Sequence, residues 1–336
     1  MNRPLADDRV HKCTVMLDSN VWRYLVDAEA VEDLRMVSRS AEVRIVACPA
    51  VAFEVLRMPN SALKRKLVKA ITLGEWERPM PEVFHESESM RAAIHAHRPE
   101  WLIEHPDLRH WHELRADWQS GWWRRARTDS KAESARIDQL GGDDLRRARE
   151  AAHFFRKDAI DAKRTFGSVN VDDVPVVFEA PVFGWDGKPF EAWRADGITT
   201  WWREFVENDD SACSDWLGPW VDRRAIAEDR GSWHSFWTRE VSMSELPFHW
   251  LRWALDYVQR TRRTTDGTPV DNQIGTYLAA CDIFVSGDRA LLDCIEKVRH
   301  GSPSALAKSQ LVSAGSQGVA ELFSAIRNLG AVTELS

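Results

Sequence analysis

The stretch VDNQIGTYLAACDIFVSGDRALLD, Val270 to Asp293, decides the reading of the fold. Pro269 suits a first helical position, because its fixed φ matches the helix and its missing N–H is not needed there. Ile274, Tyr277, Leu278 and Cys281 then recur at helical spacing, and Ile283 to Val285 form a short β-branched and aromatic run that stops at Ser-Gly-Asp. The spacing predicts a helix followed by a strand, with Asp271 in the first helical turn and Asp288 just past the strand. In an open parallel sheet, ligands bind outside the carboxyl ends of the strands, so an acid emerging there is placed for chemistry.

The N-terminal part of the chain has the same design. CTVML, 13–17, is an apolar run stopped by Asp18-Ser19-Asn20, and Val21, Tyr24, Leu25, Ala28, Val31, Leu34 and Val37 follow at helical spacing. A second strand is expected over Val43 to Ala47. Pro49 opens the helix after it, which carries Glu54 among Val51, Ala52, Phe53, Val55 and Leu56 and ends before Pro59. Asn60 suits the cap of a further helix reaching about Gly74. Beyond the opening stretch, a helix is expected from Asp288 to about His300, then an edge strand over Lys308 to Val312 and a last helix through Ile326. This alternation favours a parallel sheet flanked by helices.

Between about Glu82 and Glu245 the strand signals fade. Fifteen of the seventeen tryptophans lie between Trp101 and Trp253, which marks this region as a module of different composition. From Arg109 to Arg164 it holds about 14 basic against 10 acidic residues, and from Thr165 to Glu245 about 7 against 16, so one arm is mildly basic and the other acidic. A hairpin is expected around Asp186-Gly187. Stacking on single-stranded bases, with Arg124, Arg125, Arg127, Arg146, Arg147 and Arg149 on the phosphates, is one use of such a composition. Packing is favoured over it, because tryptophan recurs in the acidic arm as well. The helical signal returns in LPFHWLRWALDYVQRTRR, starting at Leu246. The division is therefore a discontinuous α/β domain over 10–80 and 246–330, interrupted by a helical insertion over 81–245.

The net charge of −7 offers no global argument for nucleic-acid binding, so any such argument must come from a site. No apolar run is long enough to cross a bilayer, and the first residues lack the apolar core of a secretory signal; a soluble, cytoplasmic protein is expected. The five cysteines are scattered without CxxC spacing and read as free thiols. The histidines of HAH and HWH fall on different helix faces and make no zinc motif.

Four acids share one situation: Asp18 after the first strand, Glu54 on the helix after the second, Asp271 in a first helical turn, and Asp288 after a later strand. Singly, Asp18 reads as a turn residue, Asp271 as an acid favoured by the helix dipole, and Asp288 as an N-cap. Jointly they read as a site. Carboxylates brought together without a cation raise one another's pKa, whereas Mg²⁺ or Mn²⁺ takes oxygen ligands of this kind and supports phosphodiester hydrolysis.

In VMLDSNVW (15–22), CPAVAFEVL around Glu54, DNQIGTYLAA from Asp271 and DIFVSGD ending at Asp288, the chain resembles the PIN-domain nucleases. The resemblance covers roughly Val10 to Glu77 and Leu246 to Leu329. It implies a three-layer α/β/α fold with a parallel sheet, and divalent-metal-dependent cleavage, usually of RNA. It implies Asp18, Glu54, Asp271 and Asp288 as metal-binding acids, Asn20 as a polar partner of the first, and Ser286 as the hydroxyl two residues before the last. The long insertion departs from the short toxin-type members, and Asp282 and Asp293 are extra acids that the pattern does not assign. A prokaryotic toxin or defence role is a family-level expectation; a protein partner or inhibitor bound through the insertion, and homo-oligomerisation, are expected separately from it. The rival readings are a different phosphate-ester hydrolase, acting on DNA, a flap or a small phosphorylated molecule, and an idle scaffold that binds a protein.

Overall fold

The computed structural model describes residues 13–139, 191–259 and 268–333, with the backbone alone over 268–271 and 331–333. Four strands, β1 (Thr14–Leu17), β2 (Arg44–Val46), β3 (Ile283–Ser286) and β4 (Lys308–Leu311), form one parallel sheet in the order β2-β1-β3-β4. The protein is thus mixed α/β, with helices outnumbering strands among the described residues. β1 and the last three residues of β3 are buried, as expected of central strands covered on both faces, while β4 is the partly exposed edge. The register pairs Leu17 with Val285 and Val15 with both Ile45 and Ile283. Two segments separated by more than 260 residues of sequence therefore lie side by side at the centre of the sheet. Glu77 bridges Val46 in the parallel sense and extends the β2 edge by one residue.

Helices α1 (Ser19–Asp27), α2 (Val31–Ser40), α3 (Pro49–Leu56), α4 (Ser61–Ile71), α6 (Pro247–Gln259), α7 (Thr268–Thr276), α8 (Arg289–Arg299) and α9 (Gly315–Thr333) make up the rest of this half of the molecule, and α5 (Glu82–His97) opens the insertion. Asn60 caps α4 through Ala62 N–H and Leu63 N–H. The continuous helix expected from Val21 to Val37 is two helices instead, because Glu29 adopts φ 54 in the left-handed region and ends the first. Cys281 lies beyond the helical segment, since α7 passes into a 3₁₀ turn over Tyr277–Ala279 before β3. The hairpin expected around Asp186-Gly187 and the arginines Arg146, Arg147 and Arg149 lie outside the described residues.

The insertion is helical where it is described, with Arg109–Ala116, Trp122–Thr128, Ala192–Trp201, Ala212–Leu217, Arg223–Glu228 and Arg230–Ser235 joined by shorter turns. Its tryptophans are mainly core: Trp101, Trp123, Trp193, Trp201, Trp233 and Trp237 are all buried. Trp237 packs edge-on to Trp193 and Trp233 at ring separations of 6.2 and 5.8 Å, and His249 of α6 sits 5.1 Å from the Trp237 ring. Insertion and α/β half therefore share one apolar core. A polar seam crosses the same boundary: Arg252 donates to Glu86 at 2.8 Å and to His249 Nδ1 at 3.2 Å, and His249 Nε2 lies 3.1 Å from the Trp193 carbonyl. Burial, reinforced by the Arg252 charge, pushes His249 down to about 4, so the imidazole is neutral and can accept from the arginine while donating to the carbonyl. Among the described residues, no helix is long and apolar enough to cross a membrane.

Gly197 marks how closely this core is packed. A Cβ there would lie 2.1 Å from the Trp237 ring, which is itself fully buried. Gly197→Ala should cost about 1–3 kcal/mol through overpacking, read as a lower urea midpoint by tryptophan fluorescence; an unchanged midpoint would contradict the packing described.

Candidate functional site

The site follows from the register. Because Leu17 pairs with Val285, the residues next beyond them, Asp18 and Ser286, emerge together at the carboxyl edge, and Asp18 N–H donates to the Val285 carbonyl at 3.0 Å. Asp18 also caps α1, its Oδ1 accepting Ser19 N–H at 2.6 Å. Its Oδ2 accepts the Ser286 hydroxyl at 2.5 Å and the Asn20 amide at 2.7 Å. The amide oxygen of Asn20 in turn accepts Gly287 N–H at 2.8 Å, and Ser286 Oγ accepts Asp288 N–H at 2.9 Å. Asn20 and Ser286 therefore tie the end of β1 to the turn after β3. Asp288 caps α8 through Leu291 N–H at 3.0 Å.

Glu54 reaches this group from α3, the helix that Pro49 starts just past the end of β2. Ser19, the first residue of α1, offsets part of the rise in the Glu54 carboxyl. Sequence reasoning missed Ser19, whose signal was its position as the first residue of the helix that Asp18 caps. Burial pushes the Asp18 carboxyl above its usual range, against the bonds from Ser286, Ser19 and Asn20, and the Asp288 charge adds to the rise. Burial also pushes Glu54 up to about 7, with the Asp18 charge as the second cause. Electrostatic coupling thus joins Asp18 to both Glu54 and Asp288. No arginine or lysine of the described residues stands among the main influences on either raised carboxyl.

Asp271 lies in the first turn of α7, but its side chain is outside the described residues. The position of the helix itself is defined. Asn272 donates to Asp256 of α6 at 3.1 Å and accepts from Gln259, and Gly275 admits Leu255 so closely that a Cβ would lie 1.9 Å from its Cδ1. The two unassigned acids stand apart from the site. Asp282 accepts the Thr14 N–H and hydroxyl, each at 2.7 Å, at the opposite, amino-terminal edge of the sheet. Asp293 is exposed on α8.

Among the described residues, no group of three or more His, Cys, Asp and Glu side chains is arranged to hold a metal ion. The acceptors still free are nonetheless of the right kind. A carboxylate offers about four lone-pair sites, and the bonds above leave capacity on Asp18, on Glu54 and on Asp288 Oδ2. These are hard oxygen donors on acids that have no ion-pair partner among the described residues, and they fit a hard divalent ion chemically. Comparison with models of known protein families, with curated proteins and with solved structures finds no match for this chain.

The raised carboxyls carry a pH signature. A folded-state pKa above the unfolded value gives stability that is complete below the unfolded pKa and is lost as pH rises through the folded one. For Glu54 that window runs from its ordinary value near 4.5 to about 7. In chelator, the protein should therefore lose stability between about pH 5 and pH 8, and Glu54→Gln should remove roughly 2 kcal/mol of that loss, a partly exposed group giving less than its full shift. Urea unfolding of both proteins at the two pH values checks this; parallel pH profiles would contradict it.

Proposed function

We propose that this chain is a metal-dependent endoribonuclease with a PIN-like three-layer α/β/α catalytic domain. The observation that carries the reading is the buried Asp18 carboxyl at the carboxyl edge of the sheet, raised by burial and by the Asp288 charge, while its own charge adds to the rise of Glu54. The parallel sheet and the acids at its carboxyl edge support the resemblance in architecture.

Asp18, Glu54 and Asp288, joined by Asp271 from α7, would hold Mg²⁺ or Mn²⁺. When bound, such an ion supplies Lewis acidity toward phosphate oxygens and the charge that stabilises a leaving alkoxide. The protein's own groups do the rest. Asn20 and Ser286 hold the Asp18 carboxylate in one orientation by donating to the same oxygen. Glu54, the acid carried by α3, would help to position an attacking water. Attack of that water on phosphorus with departure of the 3′-oxygen, which regains a proton, leaves 5′-phosphate and 3′-hydroxyl ends.

Asp18→Asn and Asp288→Asn should each lower Mn²⁺-dependent cleavage of single-stranded RNA by at least about 100-fold, or roughly 2.7 kcal/mol of transition-state stabilisation. Circular dichroism should remain that of the folded protein. A panel of RNA, DNA and small phosphate esters assigns the substrate; full activity in both folded variants would defeat the proposal, and metal-independent inactivity of the wild type would favour an idle scaffold.

A further inference from the structure

The first part of the insertion lies directly against the helix that carries Glu54. Phe53, the residue before Glu54, packs on Trp118 and Trp122 at ring separations of 5.9 and 5.1 Å, and Trp118 lies tilted by 31° against Trp122 at 5.0 Å. Trp122 is buried, but Phe53 and Trp118 are only partly buried. They differ in this from the tryptophans of the insertion core. The same contact brings basic residues together. Lys64 of α4 donates to Ser134 at 2.8 Å, and Ser134 donates to the Leu56 carbonyl, two residues past Glu54, at 2.6 Å. Arg127 reaches the Lys69 carbonyl of α4 at 2.6 Å.

Around these contacts Arg65, Lys66 and Lys69 of α4 and Arg124 and Arg127 of the neighbouring helix are all exposed. Among the described residues none of the five has an acidic partner. The nearby acids are already engaged: Asp117 pairs with Arg125 at 2.7 Å, and the buried Glu133 pairs with Arg125 and Arg136. A face of exposed cations with no acidic ion-pair partner among the described residues therefore adjoins two partly buried aromatic residues, one of them next to Glu54, in a protein whose net charge is −7.

We infer that α4 and the Trp118–Thr128 segment form a track for single-stranded RNA leading to the carboxylate edge, with Phe53 and Trp118 as the stacking shelf and the basic face as the phosphate contact. Flexible cations beside an aromatic shelf suit a single strand, whose bases are free to stack, better than a duplex, whose bases are already stacked. The identity of the strand as substrate rests on the nuclease reading above, but the binding surface does not.

Binding and cleavage are therefore measured separately, on one fluorescein-labelled oligouridine of about 20 nucleotides. In chelator, where no cleavage occurs, anisotropy should show the wild type binding this RNA. The triple variant Arg65→Glu, Lys69→Glu, Arg124→Glu should bind at least about tenfold more weakly. Its affinity should also fall less steeply with salt, by about 2 in the logarithmic slope for three lost phosphate contacts. Trp118→Ala should weaken binding with the slope unchanged. Wild-type protein that does not bind, a triple variant that binds with wild-type affinity and slope, or tighter binding to a duplex of the same length would overturn the track. Failure of the wild type to cleave in Mn²⁺ would instead count against the nuclease reading and leave the binding comparison intact.

Discussion

Everything at the carboxyl edge depends on the Asp18 carboxylate, a buried acid held by protein donors and, among the described residues, without a cation as a main influence. Burying a charge is costly unless hydrogen bonds and a counter-charge offset it. Ser19 N–H, Ser286 and Asn20 offset part of that cost, and the upward shift of the carboxyl shows the remainder. The same bonds do structural work, because Asn20 and Ser286 join β1 to the turn after β3. The site and the centre of the sheet are thus stabilised by one network, and strain placed on one is felt by the other.

The described residues of the insertion share one core with the α/β half. Trp237, His249 and Arg252 run the apolar and polar contacts continuously from the inserted helices into α6, and α6 in turn fixes α7 through Asp256 and Gln259. At its other end, Trp118 and Trp122 rest on Phe53 beside Glu54. Two of the helices that carry proposed ligands are therefore braced by, or through, the inserted segment. That arrangement gives the insertion a physical means of tuning the site as well as of selecting what reaches it.

Much of this was legible in the sequence because the relevant signals are local. Short apolar runs stopped by an acid predicted β1 and β3, and their ends bring Asp18 and Ser286 together. The break between α1 and α2 was not legible, because Glu29 takes a positive φ that its residue type does not announce. Nor could spacing separate Asp282 from Asp288, six residues apart on opposite ends of one strand; only the Thr14 bonds assign the first to a structural role. Composition favoured packing for the tryptophans, and burial agrees for Trp123, Trp193 and Trp237, whereas the partial burial of Trp118 depends on tertiary contacts that no sequence pattern reveals. Ser19 escaped notice because it acts on Glu54, a partner far along the chain.

The central claim is that these acids form one cation site. Anomalous diffraction from crystals soaked in Mn²⁺ tests it most directly. The account predicts a peak bounded by Asp18, Glu54 and Asp288, with Asp271 closing the fourth side from α7. Saturating Mn²⁺ with no peak at this edge, or with ions bound only elsewhere while the three carboxylates keep their present hydrogen bonds, would contradict it.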